Sequence, residues 1–218
     1  MVIEGSDASG KKTQVTLLLE KLDARGVPTR LLDFPTYDTV FGELISKYLR
    51  GEFGPLEEIP PEIPSMFYAL DRLQYRDSII NDLEDGKFLV ANRYCQSNWA
   101  YQGAKFPTPE TRKEFISWLK QLESRIPQPD LVFYLHTPES VAQKLLENRE
   151  DKGYLKGEKM DIHESDRSYQ EAVSYVYLDL ARESDHWVVV ECAGNGEMRS
   201  TEDINKEILG ILENKGLL

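Results

Sequence analysis

Residues 5–14 read GSDASGKKTQ, between the apolar start MVIE and the stretch VTLLLEKL. Gly5, Gly10 and Lys11 stand at the spacing G-x-x-x-x-G-K of a phosphate-binding loop. Small residues there let several backbone N–H groups converge on one anion, and a helix opening at the loop's end adds a positive dipole. The surroundings suit that reading. A strand-like run precedes the loop, and Val15, Leu18, Leu19 and Leu22 after it share one helical face. Gly5, Ser6, Ala8, Ser9, Gly10, Lys11, Lys12 and Thr13 are the expected cradle for a nucleotide's phosphates, with Lys11 reaching the outer ones. One position departs from the pattern. A Ser or Thr hydroxyl ordinarily follows the lysine and holds Mg²⁺, but here Lys12 follows, and Thr13 lies about 100° further round the helix. Magnesium in phosphoryl-transfer sites keeps several waters and few protein ligands, so the ion can be held without that hydroxyl. Asp7 is the expected metal carboxylate.

Outward from the loop, strand-like and helix-like stretches alternate. TRLLDF, KFLVAN, DLVFYLHTP and HWVVVEC read as strands after the first one. TVFGELISKYLRG, a segment opened by Ser65 and closed by Gly86, TRKEFISWLKQLES, ESVAQKLLENR, a segment from His163 and STEDINKEILGILENK read as helices. GEFGPLEEIPPEIP, rich in Pro and Gly, is expected to be a loop. This order implies an α/β fold with a five-stranded parallel sheet between helices, in a single domain over residues 1–218. EDKGYLKGEKMD is polar and without period, and is expected to form a lid over residues 149–160.

The formal net charge of −12 argues against a general nucleic-acid or anionic-membrane surface, while leaving room for one local anion site. Two cysteines are too few for a disulfide framework, and no apolar run or basic leader suggests a membrane span or a signal segment. A cytoplasmic location is the expectation.

Four further stretches join the loop: DFPTYD after the second strand, FYALDRLQYR on a helix, NRYCQSNWAYQGA after the third strand, and MDIHESD after the lid. In this order and spacing, together with IEGSDASGKKTQ, they resemble the thymidylate kinase family. The resemblance runs from the first strand to about Tyr177. It implies a P-loop kinase fold, transfer of the terminal phosphoryl group of ATP to dTMP with Mg²⁺, and a homodimer. It also implies roles. Arg72 lies near a thymine carbonyl, Arg93 near the monophosphate, Tyr68 stacks on the base and Asn98 reads its edge. Tyr101 crowds a ribose 2′-OH, Phe34 and Tyr37 line the same pocket, and Ser97, Gln102 and Asp161 complete it. Positions Ala8 and Ser9 are not basic, so the family's catalytic arginine is expected from the lid: Arg149, with Lys152, Lys156 and Lys159 as alternatives. Asn92 stands where many members carry Asp, and His163 where an aromatic hydroxyl is sometimes found. The acceptor is a phosphate oxygen already ionised at neutral pH, so positioning and charge stabilisation by Lys11, Asp7, Arg93 and Arg149 suffice without a general base. Two other readings stay open here: a kinase for another nucleotide or deoxynucleoside, and a non-catalytic nucleotide-binding relative.

Overall fold

β4 (Val132–His136) shows why the chain folds as it does. Leu131, Phe133 and Leu135 pack with one apolar cluster, and Val132 and Tyr134 with another, so this strand is buried on both faces. Each such side chain contributes about 1.5–3 kcal/mol of burial. It pairs in parallel with β1 (Val2–Glu4) on one side and β5 (Trp187–Glu191) on the other. β1 also pairs with β3 (Phe88–Asn92), and β3 with β2 (Thr29–Asp33), giving the parallel order β2-β3-β1-β4-β5. The computed structural model describes residues 1–147, 155 and 160–218.

Helices cover both faces. α1 (Lys11–Asp23) and α9 (Thr201–Asn214) bury Val15, Leu18, Leu22, Ile204 and Ile208 against Ile3 and Phe133. On the other face, α5 (Cys95–Gly103), α6 (Pro109–Leu122) and α8 (Arg167–Arg182) bury Trp99, Leu119, Val173 and Tyr177 against Val2 and Tyr134. α7 (Glu139–Glu147) follows β4. Among the described residues, no helix is long and apolar enough to cross a membrane.

α2 (Val40–Leu49) docks closely against the loop after β2. A side chain at Gly42 would place its Cβ 1.8 Å from the carbonyl oxygen of Thr36, so glycine is required there. Asp71 fastens the same loop by accepting from the Thr36 N–H at 3.0 Å and from its hydroxyl.

Three expectations are corrected. The segment from Ser65 to Gly86 is two helices, α3 (Glu62–Leu73) and α4 (Arg76–Glu84). The Tyr75 N–H bonds back to the Arg72 carbonyl in a tighter turn between them. Ser65 caps nothing: its hydroxyl donates to the Pro61 carbonyl at 2.7 Å from inside α3. That helix starts earlier because Pro64 falls in its first turn, where no N–H is needed. The helix expected from His163 starts at Arg167, because the Asp166 side chain accepts the Tyr169 N–H at 3.0 Å and caps it there. A short hairpin, β6 (Ala193–Gly194) with β7 (Glu197–Met198), was not expected. Its turn is Asn195 and Gly196, both at positive φ.

Candidate active site

The loop between β1 and α1 is shaped by two left-handed residues, Ala8 at φ 58° and Gly10 at φ 81°. No side chain caps α1, so its first-turn N–H groups are directed at an anion position. Lys11 folds back over the loop. Its Nζ donates to the Ser6 carbonyl at 2.6 Å and to Ser9 Oγ at 3.4 Å.

Arg93 follows β3, at φ 61°. Its guanidinium donates to Asp7 Oδ1 at 2.9 Å, to the Gly5 carbonyl at 3.2 Å, and to Ser97 Oγ and Tyr101 Oη at 3.3 Å each. Tyr101 Oη donates to Asp7 Oδ2 at 2.8 Å. Burial alone would lower the Arg93 pKa, but Tyr101, Asp7 and their neighbours hold it well above the usual range. Burial pushes the Tyr101 phenol up, so it stays a donor. Beneath this cluster, Glu4 is wholly buried on β1. It accepts from the Tyr94 N–H at 2.8 Å, the Ser97 N–H at 3.1 Å, Ser97 Oγ at 2.6 Å and Tyr177 Oη at 2.8 Å. Tyr94, at the start of α5, offers no side-chain cap, and the Glu4 carboxylate takes that part from another strand.

Loop and cluster open into one cleft of about 1320 Å³. Ala8, Ser9, Gly10, Lys11, Lys12 and Thr13 of the loop line it, as do Asp7 and Arg93 of the cluster. Phe34, Tyr37, Tyr68, Ser97, Asn98, Tyr101 and Asp161 line it as well. Asp161 holds the turn before α8 by accepting the N–H groups of His163 at 2.9 Å and Glu164 at 3.0 Å. Gly5 and Ser6 lie beneath the loop rather than on the cleft surface. Two expected substrate contacts also lie behind the lining. Gln102 is fully buried, and Arg72 pairs with the buried Glu123. Arg149, with Lys152, Lys156 and Lys159, falls outside the described residues.

Sequence reasoning missed several lining residues. Met198, Arg199, Thr201 and Ile204 border the cleft beside the loop. The Asn195–Gly196 dipeptide was the available signal, since it turns the chain back toward α9. Ser46 and Leu49 line it from α2, and Arg50 from just past its end. His163 also reaches the cleft, stacked on Tyr101 at 5.3 Å between ring centres and bonded through Nε2 to Tyr48 Oη at 2.8 Å.

For a metal, the donor set favours a hydrated ion. Among the described residues, no group of three or more His, Cys, Asp or Glu side chains converges. Both Asp7 oxygens accept hydrogen bonds within the chain. Asn92 donates through Nδ2 to Asp33 Oδ1 at 2.7 Å, while its own Oδ1 is buried without a partner. That oxygen fits a water of a hydrated Mg²⁺.

Comparison with known proteins agrees with this geometry. A family model described as thymidylate kinase matches residues 3–208. A thymidylate kinase of Plasmodium falciparum is 31% identical over 96% of this chain and 87% of its own. One of Fervidobacterium nodosum is 28% identical over 95% of each. A solved thymidylate kinase structure from Candida albicans superposes with a TM-score of 0.70 at 22% identity, over 99% of this chain and 91% of that one. With the phosphate loop, the Arg93 cluster, Tyr68 and Asn98 lining one cleft, and a family model matching residues 3–208, the chain belongs to the thymidylate kinase family.

Proposed function

We propose that the chain transfers the terminal phosphoryl group of ATP to dTMP, giving dTDP and ADP, with Mg²⁺. The observation that carries this is the single cleft in which a phosphate loop and the Arg93–Asp7–Tyr101 cluster face each other. ATP phosphates lie on the loop amides, and Lys11 turns from the Ser6 carbonyl to the outer phosphates. The donor base lies toward Met198, Arg199 and Thr201. The dTMP phosphate sits by Arg93, whose charge Asp7 and Tyr101 aim, and Tyr101 with His163 walls the sugar. Tyr68 and Asn98 meet the base. An ionised phosphate oxygen is already a nucleophile, so these residues supply position and charge stabilisation. Bound Mg²⁺ would neutralise donor phosphate charge, with Asn92 Oδ1 and Asp33 holding its waters and Asp7 orienting Arg93. Arg149 from the lid completes the charge set. The reading includes a cytoplasmic location and a homodimer, for which Ile63, Met66, Leu70 and Leu73 form an exposed apolar stripe along α3.

A coupled assay of ADP formation with ATP and Mg²⁺ tests it, comparing dTMP with dUMP, dAMP, dCMP, dGMP and thymidine. Turnover is expected on dTMP above all others. Turnover on another acceptor alone, or on none with ATP bound, overturns it. Sedimentation tests the dimer, which a monomer at micromolar concentration overturns.

A further inference from the structure

Glu123 is wholly buried at the C-terminal end of α6. That end of a helix carries partial negative charge and disfavours a carboxylate. Its position therefore asks for a compensating reason, and its partners supply one. Oε1 accepts from Arg72 Nη2 and, at 3.5 Å, from Asn98 Nδ2, and Oε2 accepts from Trp99 Nε1 at 2.8 Å. All three neighbours are donors, so the group is needed as a carboxylate, and one side chain ties α3, α5 and α6 together.

The consequence falls on Asn98, which lines the cleft. Its Nδ2 also donates to the Ser65 carbonyl at 3.1 Å. A carboxylate and a backbone carbonyl can only accept, so the amide has one allowed orientation, with NH₂ toward both. Asn98 Oδ1 is left as a buried acceptor without a partner, and Arg72 Nε beside the same carboxylate as a buried donor without one. An acceptor suits a pyrimidine whose N3 carries a proton, as in thymine and uracil. It opposes cytosine, whose N3 is itself an acceptor.

We propose that Glu123 is a positioning residue for acceptor-base selection: it fixes the Asn98 amide so that Oδ1 meets the base, favouring a pyrimidine with N3–H over cytosine. The proposal rests on dTMP being the acceptor. A neutral amide at position 123 can donate as well as accept, which leaves the Ser65 carbonyl to hold the Asn98 amide without the carboxylate's help.

The test is kcat/KM for dTMP and for dCMP, with saturating ATP and Mg²⁺, in wild type, Glu123→Gln, Asn98→Ala and the double variant. Glu123→Gln is expected to lower the dTMP to dCMP ratio by about tenfold or more, chiefly through the dTMP KM, with the KM for ATP unmoved. Asn98→Ala is expected to lower the same ratio, and Glu123→Gln to add no further loss in that background, because both act through one amide. A purely structural role would lower both substrates alike and add in the double variant. If Glu123→Gln fails to fold, Glu123→Asp keeps the charge but shortens the reach to Asn98, and is expected to narrow the ratio. An unchanged ratio in folded Glu123→Gln or Glu123→Asp, a full further loss in the double variant, or an unchanged ratio in Asn98→Ala overturns the proposal. Wild type inactive on dTMP defeats the proposed function and this inference together. Wild type active on dTMP with an unmoved ratio in the variants defeats this inference alone.

Discussion

The two ends of the cleft are built from different materials. At the loop end, the shape is backbone: left-handed Ala8 and Gly10, and the uncapped first turn of α1. At the Arg93 end, the shape is side chains reaching across the fold, with Glu4 of β1 holding the start of α5 and Tyr177 of α8. A backbone-built site is local, so its instructions sit within ten residues. A side-chain-built site depends on partners far apart in sequence, and its stability and its geometry are the same bonds. Removing a side chain at the loop end should therefore act on rate, whereas removing one at the Arg93 end should act on rate and stability together.

The largest separation is expected between Lys11→Ala and Arg93→Ala. Each should lower kcat by on the order of a thousandfold, since each removes charge from the transferring group. Only Arg93→Ala, which removes the guanidinium that bridges Asp7, Gly5, Ser97 and Tyr101, should also lower Tm, by several degrees or more. Equal Tm values for the two would break the comparison. Next comes Glu4→Gln. An amide has one acceptor oxygen where four donors now converge, so thermal unfolding should show a loss of about 2–4 kcal/mol, or roughly 10 °C in Tm. The KM for dTMP should rise with it, because the start of α5 carries Ser97 and Asn98. Gly10→Ala is a smaller change. A Cβ there meets nothing within 4 Å, so its cost is the left-handed backbone alone, about 1–2 kcal/mol. The KM for ATP should rise several-fold with dTMP binding untouched, as initial-rate kinetics would show.

A separate expected effect concerns pH. Lys105 donates to Tyr48 Oη at 3.2 Å, the hydroxyl that also bonds His163 Nε2. Burial lowers its pKa from 10.5 to about 8, against a smaller opposite effect of Glu62. Below pH 8 both folded and unfolded chains carry this proton, and the folded chain bears the cost of burying it. Between about pH 8 and 10.5 the unfolded chain binds more protons, so stability should rise with pH. Urea midpoints from pH 7 to 10 should rise in wild type relative to Lys105→Met, and parallel curves would show the ammonium to be solvated.

The contrast also explains what the sequence disclosed. The phosphate loop and the five parallel strands were legible because each is a local pattern of spacing or apolar run. The break between α3 and α4 was not, since the apolar positions Met66, Leu70, Leu73, Ile80 and Leu83 keep helical spacing across it. Three of them, Met66, Leu70 and Leu73, are exposed along α3, so periodicity there marks an outer face rather than the core. Glu4 and Glu123 carried no signal at all: a single acid has no period, and its partners lie up to 173 residues away. Arg72 was found through resemblance, but only the folded chain sets it against Glu123, behind the lining of the cleft.

β1 has a consequence for how the chain is made. It precedes the other four strands of the sheet in the chain and lies in the middle of it, yet Val2 pairs with Ala91 on one side and Val132 on the other. Until the ribosome has released β3 and β4, the central strand lacks one neighbour or both, and α1 has no complete sheet to cover. Closing such distant contacts is slow, and the waiting segment is apolar and ready to pair with the wrong strand. Nascent chains should therefore depend on holding factors until β4 emerges, and refolding from denaturant should be far more sensitive to protein concentration than the finished fold is.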